Sequence, residues 1–441
     1  LGFAEPASRA RLMTTITRSH AREVLDSRAL PTVEVDVFLG DAISARATVP
    51  SGASTGTAEA LEMRDGDPDR FEGRGVLRAV ANVNEIIAPE LIGCDASNQL
   101  EIDKRLLELD GTPQKTELGG NALLGESLAT ACATAKAMRS PLHTYISWLA
   151  ASSDDPEDQT LDPVKEKMPT PMVNMISGGL HAGRNLDFQD FLIIPTGAAD
   201  YRQALEWIAR VYVRLGKRLR DSGFEGWLIG DEGGYGPRLK SNRQAAELLV
   251  AAIEDAHLTP CEQVAIAVDV AASHFFDTPS YYLNCGGEAT LGSSEMVDLI
   301  ESLCNDFPII SVEDPLAEDD WQGWSDLTSR IGQQVNVLGD DLLATNEKRL
   351  QRAISERAAN AILIKPNQVG TLTETLETIQ LARSAGFSFT VSARSGETED
   401  TFIADLAVGT AANYIKIGSL VRGERTVKYN RLLRIAEELE R

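Results

Sequence analysis

Three acids and three cations stand at intervals along the second half of this chain: Asp269, Glu313, Asp340, Lys365, Arg394 and Lys416. Each closes or closely follows a short apolar run: VAIAV, FPIISV, VNVLG, AILI, FSFTVS and YI. Three carboxylates brought together repel one another unless a cation neutralises them. Oxygen donors with no Cys or His among them select a hard divalent ion, Mg²⁺ first and Mn²⁺ as a substitute. Lys365, near that ion and near Lys416, is expected to have its pKa depressed toward the value a general base needs. The proton it could remove lies α to a carboxylate, because a metal on the carboxylate oxygens stabilises the dianion that forms. Glu232, in GDEGG, sits on a glycine-flanked turn and is the candidate acid for a leaving group. Arg394 and Ser395 are placed to meet the anionic end of a substrate, with the Ser/Gly/Thr loop that begins at Ser51 closing over it. Taken singly, an acid at a strand end can be an ordinary loop start, a lysine can serve a salt bridge, and a Ser/Gly stretch can be a plain interdomain turn. The series is what argues for chemistry.

Such a series needs strands whose ends converge. From Glu313 to Asp340, Lys365, Arg394 and Lys416, each step is about 25 residues, the length of one βα unit. FLIIP, just after Asp190, and GWLIG, before Asp231 and Glu232, bring the apolar runs to eight. Amphipathic patterns between the runs predict helices, among them 201–221, 243–256 and 372–385. The expected fold class is α/β, a closed (β/α)8 barrel with its site at the strand C-termini. An open doubly wound sheet is the alternative, and it would not bring all the charges to one point. Before the barrel, Val33, Val35 and Val37 alternate with acids in PTVEVDVFL, and a second strand at 42–49 follows the Gly40-Asp41 turn. Helical patterns at 76–86, 99–109 and 122–138 complete a smaller α+β domain. The division expected is an α+β capping domain over 13–150, a polar linker at 151–167 and the barrel over 168–441.

Composition narrows the function classes. The chain has 441 residues, with Lys+Arg 42 against Asp+Glu 66 and a formal net charge of −24. So acidic a surface repels nucleic-acid backbones and anionic lipid, and no apolar run is long enough for a membrane span. Partners are expected to be small molecules, with no nucleic acid and no membrane. Five scattered cysteines without a CxxC pair argue against a disulfide framework or a zinc site and fit a reducing cytoplasm. The first dozen residues read as a leader set apart from the fold. GDEGG is not a Walker loop, since no Gly-Lys-Ser/Thr follows, and no GxGxxG accompanies it.

From about Thr17 to Leu439 the chain resembles the enolases. The shared segments are VPSGASTG at 49–56, RDGD at 64–67, GDEGG at 230–234, DVAAS at 269–273, EDPLAEDDW at 313–321, GDDL at 339–342 and SGETEDTFIADL at 395–406. The resemblance implies that Asp269, Glu313 and Asp340 hold a first Mg²⁺, and that Ser51 helps bind a second carried in with a substrate phosphate. It assigns to Lys365 the C2 proton of 2-phosphoglycerate, to Lys416 the carboxylate, and to Glu232 the departing 3-hydroxyl. Asp190 matches an active-site acid, and His181, Gln189, Arg394 and Ser395 match substrate-contacting positions. A barrel with irregular first units and one antiparallel strand is implied, as is a homodimer or homo-octamer.

The chain also departs from the enolase pattern. Ala393 stands where the family has an active-site histidine, and Asp190 where it has glutamate. Ile417 replaces a usual threonine, His274 a usual glutamate, and Ala29-Leu30 a Gly-Asn. Retention of the acids, Lys365 and Glu232 points to a working site with one enlarged side. A divergent paralogue acting on 2-phosphoglycerate or a substituted derivative, such as a carboxyphosphonoenolpyruvate synthase, is the leading expectation. A glycolytic enolase and a non-catalytic enolase-like protein are the alternatives.

Overall fold

In the computed structural model, the described residues are 14–40, 42–52, 56–151 and 162–440. Residues 1–13 (which include the expected leader), Asp41, residues 53–55 of the Ser/Gly/Thr loop, most of the expected 151–167 linker and Arg441 lie outside them.

The first unit is built on β1 (Ile16–Leu25), β2 (Pro31–Leu39) and β3 (Ile43–Thr48), an antiparallel sheet with β2 in the middle. The period-two pattern of β2 explains its place. Val33, Val35 and Val37 are fully buried, each contributing roughly 1.5–3 kcal/mol on leaving water. Glu34 and Asp36, on the other face, are held by Arg22 and Arg46, as in the 2.9 Å pair Arg46–Asp36. The helix Gly120–Ala137 covers the apolar face and is buried along nearly its whole length. β1 has no comparably clean alternation, which is why the sequence reading missed it.

The second unit is a closed eight-stranded barrel. Its strands are β4 (Thr170–Ser177), β5 (Asp190–Ile194) and β6 (Ala265–Asp269), then, after a small sheet of β7 (Phe276–Asp277), β8 (Ser280–Leu283) and β9 (Ala289–Leu291), β10 (Ile309–Glu313), β11 (Asn336–Gly339), β12 (Ala361–Ile364), β13 (Ser388–Ser392) and β14 (Tyr414–Lys416). β14 pairs with β4 to close the ring. All neighbours are parallel except β5, which runs antiparallel to both β4 and β6. Met172, Leu192, Ile194 and Ala267 form one buried cluster of barrel-strand side chains.

One expected strand is corrected. GWLIG is not a barrel strand; Trp227 and Leu228 are 78% and 65% exposed, and the Arg220 guanidinium lies over the Trp227 ring at 4.1 Å. Its place in the ring belongs to β4. An apolar run of four or five residues does not say which face, or whether any face, is buried. Helices Trp321–Ile331 and Gly423–Leu439 also stand where the sequence reading placed none. Among the described residues, no helix is long and apolar enough to cross a membrane.

Candidate active site

Barrel geometry brings the charged residues to one mouth. Asp269, Glu313 and Lys416 are the last residues of β6, β10 and β14, while Asp340 and Lys365 immediately follow β11 and β12. Because β5 runs backwards, its first residue lies at the mouth, and Asp190 is in register with both Asp269 and Ser177. A strand start thus serves where its neighbours use strand ends.

The carboxylates are interleaved with ammonium groups. Lys416 Nζ donates to Asp269 Oδ2 at 2.8 Å and to Glu313 Oε2 at 2.6 Å. Burial opposes the charge on Lys416, but Asp269 and Glu313 outweigh it and hold the amine well above its ordinary pKa. Burial and the adjacent Asp269 charge push the Glu313 carboxyl up. Asp340 is ion-paired to Lys365 and accepts from Gln368 Nε2 at 2.9 Å. The expected cluster of Asp269, Glu313 and Asp340 is thus interleaved with lysine nitrogens. Among the described residues, the sets of three ligating atoms within 4.8 Å of one another are His181–Asp190–Glu232 and Asp314–Asp340–Asp341. An ammonium group stands beside each of Asp269, Glu313 and Asp340 and offsets the Coulomb repulsion among them.

Lys365 also departs from expectation. Burial lowers its pKa, but Asp340 raises it, and the net shift is upward. These side chains alone do not produce a depressed base.

On the opposite side of the mouth, the turn Gly179–Ala182 carries His181. His181 Nδ1 lies 2.6 Å from Asp190 Oδ2, and its Nε2 is 3.9 Å from Glu232 Oε1. Burial works against the imidazolium, yet Asp190 and Glu232 push its pKa up to about 9. Glu232 accepts from Asn174 Nδ2 at 3.0 Å. Burial favours its neutral form, but His181, Arg425 and Lys416 hold it below the usual carboxylate range. The two shifts together favour a charged His181 beside a charged Glu232. Gly233 gives this turn its shape: at φ 88°, a Cβ there would come within 2.9 Å of Val421.

Gln189 donates to Asp269 at 3.2 Å, while its Oε1 is buried without a partner. Arg394 is buried and donates to Glu59 and Asn367, both at 3.0 Å. Arg425 donates to the carbonyls of Arg394, Ser395 and Ile417, fixing the backbone that carries Arg394 and Ser395.

Ser51 is fully buried and pinned: its Oγ donates to Asp26, and its backbone exchanges two hydrogen bonds with Gly396, beside Ser395. A Cβ on Gly396 would come within 2.4 Å of Asp26 and 2.7 Å of Ser51 Oγ, so only glycine lets the two segments meet. The first unit thus reaches the barrel mouth through Ser51 and Glu59.

Several supporting residues escaped the sequence reading. Asp314 accepts the backbone N–H groups of Asp340 and Asp341 at 2.9 and 2.8 Å. It stands next to Glu313 in EDPL, and a second acid after a strand-end acid was the available signal. Glu59, Asn174 and Gln368 carry no comparable mark, because their partners lie far away along the chain.

A capped barrel with acids on successive strand ends, two lysines among them and a histidine–carboxylate pair opposite is built for acid–base work on an anionic substrate. Residues 16–146 match the family model described as enolase, N-terminal domain, and residues 165–441 match enolase, C-terminal TIM barrel domain. The chain belongs to the enolase family, and through it to the enolase superfamily of lyases.

Proposed function

We propose that the chain removes the C2 proton of 2-phosphoglycerate, or of a derivative bearing an extra group, and eliminates the β-substituent to give an enolpyruvyl product. The observation that carries this reading is the placement of Lys365 on Asp340 and of Lys416 on Asp269 and Glu313 at one barrel mouth.

The residues fit a hard divalent cation. The donors are oxygen only, and ammonium nitrogens already take up the position of positive charge among them. Asp269, Glu313 and Asp340 would hold a first Mg²⁺, and Ser51 a second arriving with the substrate. Bound there, Mg²⁺ would supply charge to stabilise a carboxylate whose α-carbon has lost its proton. Lys365 serves as base once Asp340 no longer holds its proton in place. Lys416 orients the substrate carboxylate, and Arg394 and Ser395 meet its phosphate. His181 carries the proton that Glu232 needs to assist departure of the β-hydroxyl, and the buried acceptor Gln189 Oε1 is left for a donor on the ligand.

The departures at Ala393 and Asp190 favour a substituted substrate or a second reactant, as in a carboxyphosphonoenolpyruvate synthase. Ala393 removes a ring from the family pattern, and Asp190 is one methylene shorter and turned onto His181. Following enolpyruvyl absorbance with 2-phosphoglycerate and Mg²⁺ tests the reading. Ordinary turnover points to a glycolytic enolase instead; weak turnover that rises in Ala393→His/Asp190→Glu supports the retuned pocket. No response to either change would defeat that explanation.

A further inference from the structure

We propose that the cavity behind the His181 turn is a binding site for a phosphate or phosphonate oxyanion carried by a second reactant. The role rests on the reading above, but the binding does not. The cavity has a volume of about 350 Å³, within the range of small-molecule sites. It is walled on one side by Gly179 and Leu180, of the same turn that presents His181 to Asp190 and Glu232. Cavity and mouth therefore share a wall.

Its lining is cationic on a chain whose net charge is −24. Arg184 and Lys240 both line it, both are exposed, and neither side chain has a hydrogen bond or ion pair among the described residues. His274 also lines it, with Nδ1 buried and unpartnered. The single acid in the lining, Asp187, already accepts from Asn242 and from the backbone N–H groups of Asn284 and Cys285, so it braces the cavity wall.

Two uncommitted cations suit a compact dianion with several acceptor oxygens better than a monoanion. These groups are distinct from Arg394 and Ser395, which serve the first substrate's phosphate in the reading above. A tetrahedral oxyanion in the cavity would leave the remainder of its molecule facing the turn that divides it from the reacting groups.

The full-length Lys365→Ala protein, filled with 2-phosphoglycerate and Mg²⁺ so that no turnover occurs, is titrated with inorganic phosphate by calorimetry. One phosphate per chain is expected to bind, and Arg184→Ala/Lys240→Ala in the same background is expected to weaken it at least tenfold while leaving the affinity for 2-phosphoglycerate unchanged. No phosphate binding, or equal affinity in the double variant, overturns the proposal. If 2-phosphoglycerate itself fails to bind, the functional reading falls alone, and the phosphate titration decides this one on the unfilled protein with the same pair of variants.

Discussion

Lys416 Nζ lies 2.6 Å from Glu313 Oε2, deep in the barrel mouth, and the same nitrogen reaches Asp269 at 2.8 Å. A single ammonium therefore balances two buried carboxylates from neighbouring strands. Lys416→Met leaves that pair uncompensated, and breaking a buried ion pair costs about 3–5 kcal/mol. Thermal unfolding without metal should show the loss. Mg²⁺ should then raise the melting temperature of the variant more than that of the parent protein, and a smaller rise would speak against the acids as metal ligands.

Asp314 holds two successive backbone N–H groups at the start of the loop that carries Asp340. Asparagine offers one carbonyl oxygen where the carboxylate offers two. Asp314→Asn is expected to weaken Mg²⁺ binding by about 10–100-fold, the usual effect of losing a residue that orients a ligand. Calorimetric titration with Mg²⁺ measures it; unchanged affinity would show that the loop holds its shape without this brace.

His181 gives the site a pH signature. Its pKa is raised from 6.5 to about 9 in the folded chain. A raised histidine contributes stability that is complete below the unfolded value and lost as pH rises through the folded one. The difference in unfolding free energy between the parent and His181→Gln, measured without metal, should therefore be largest below about pH 6.5 and shrink toward pH 9. On the order of 3 kcal/mol is at stake. A pH-independent difference would mean that His181 is held by packing alone.

Ala29 adopts φ 59°, in the left-handed region that favours glycine. The enolase pattern has glycine there, so this substitution is backbone strain beside the Asp26–Ser51 contact. Ala29→Gly is expected to stabilise the chain by about 1 kcal/mol, read as a higher denaturant midpoint with an unchanged slope. A lower midpoint would mean that the turn carries no strain.

The barrel was legible in the sequence wherever a run ended in a charge. From Asp269 onward, the apolar run and its terminal residue report burial and the mouth together, and β6, β10, β11, β12, β13 and β14 all stand where such runs predicted. Before Asp269 the two signals separate. GWLIG ends in an acid, but its bulk is stacked under Arg220 or in solvent. PMVNMIS, in β4, ends in no charge at all and passed unnoticed. Within the site, the principal acids and lysines could be named from spacing. Their mutual arrangement could not, because whether a carboxylate faces another acid or a lysine depends on side-chain electrostatics that spacing does not encode. Glu59 and Asn174 were invisible for a related reason: each acts across a domain or strand boundary on a residue more than fifty positions away.

The reversed direction of β5 has a consequence for how such a protein can change. Ser177, His181, Gln189 and Asp190 all belong to one hairpin, β4 through β5, whereas the acids at 269, 313 and 340 come from three separate later units. The wall that carries His181 and Asp190 is thus a local cassette. It can be exchanged or shortened by a methylene while the half of the mouth that carries Asp269, Glu313 and Asp340, anchored in other strands, keeps its form.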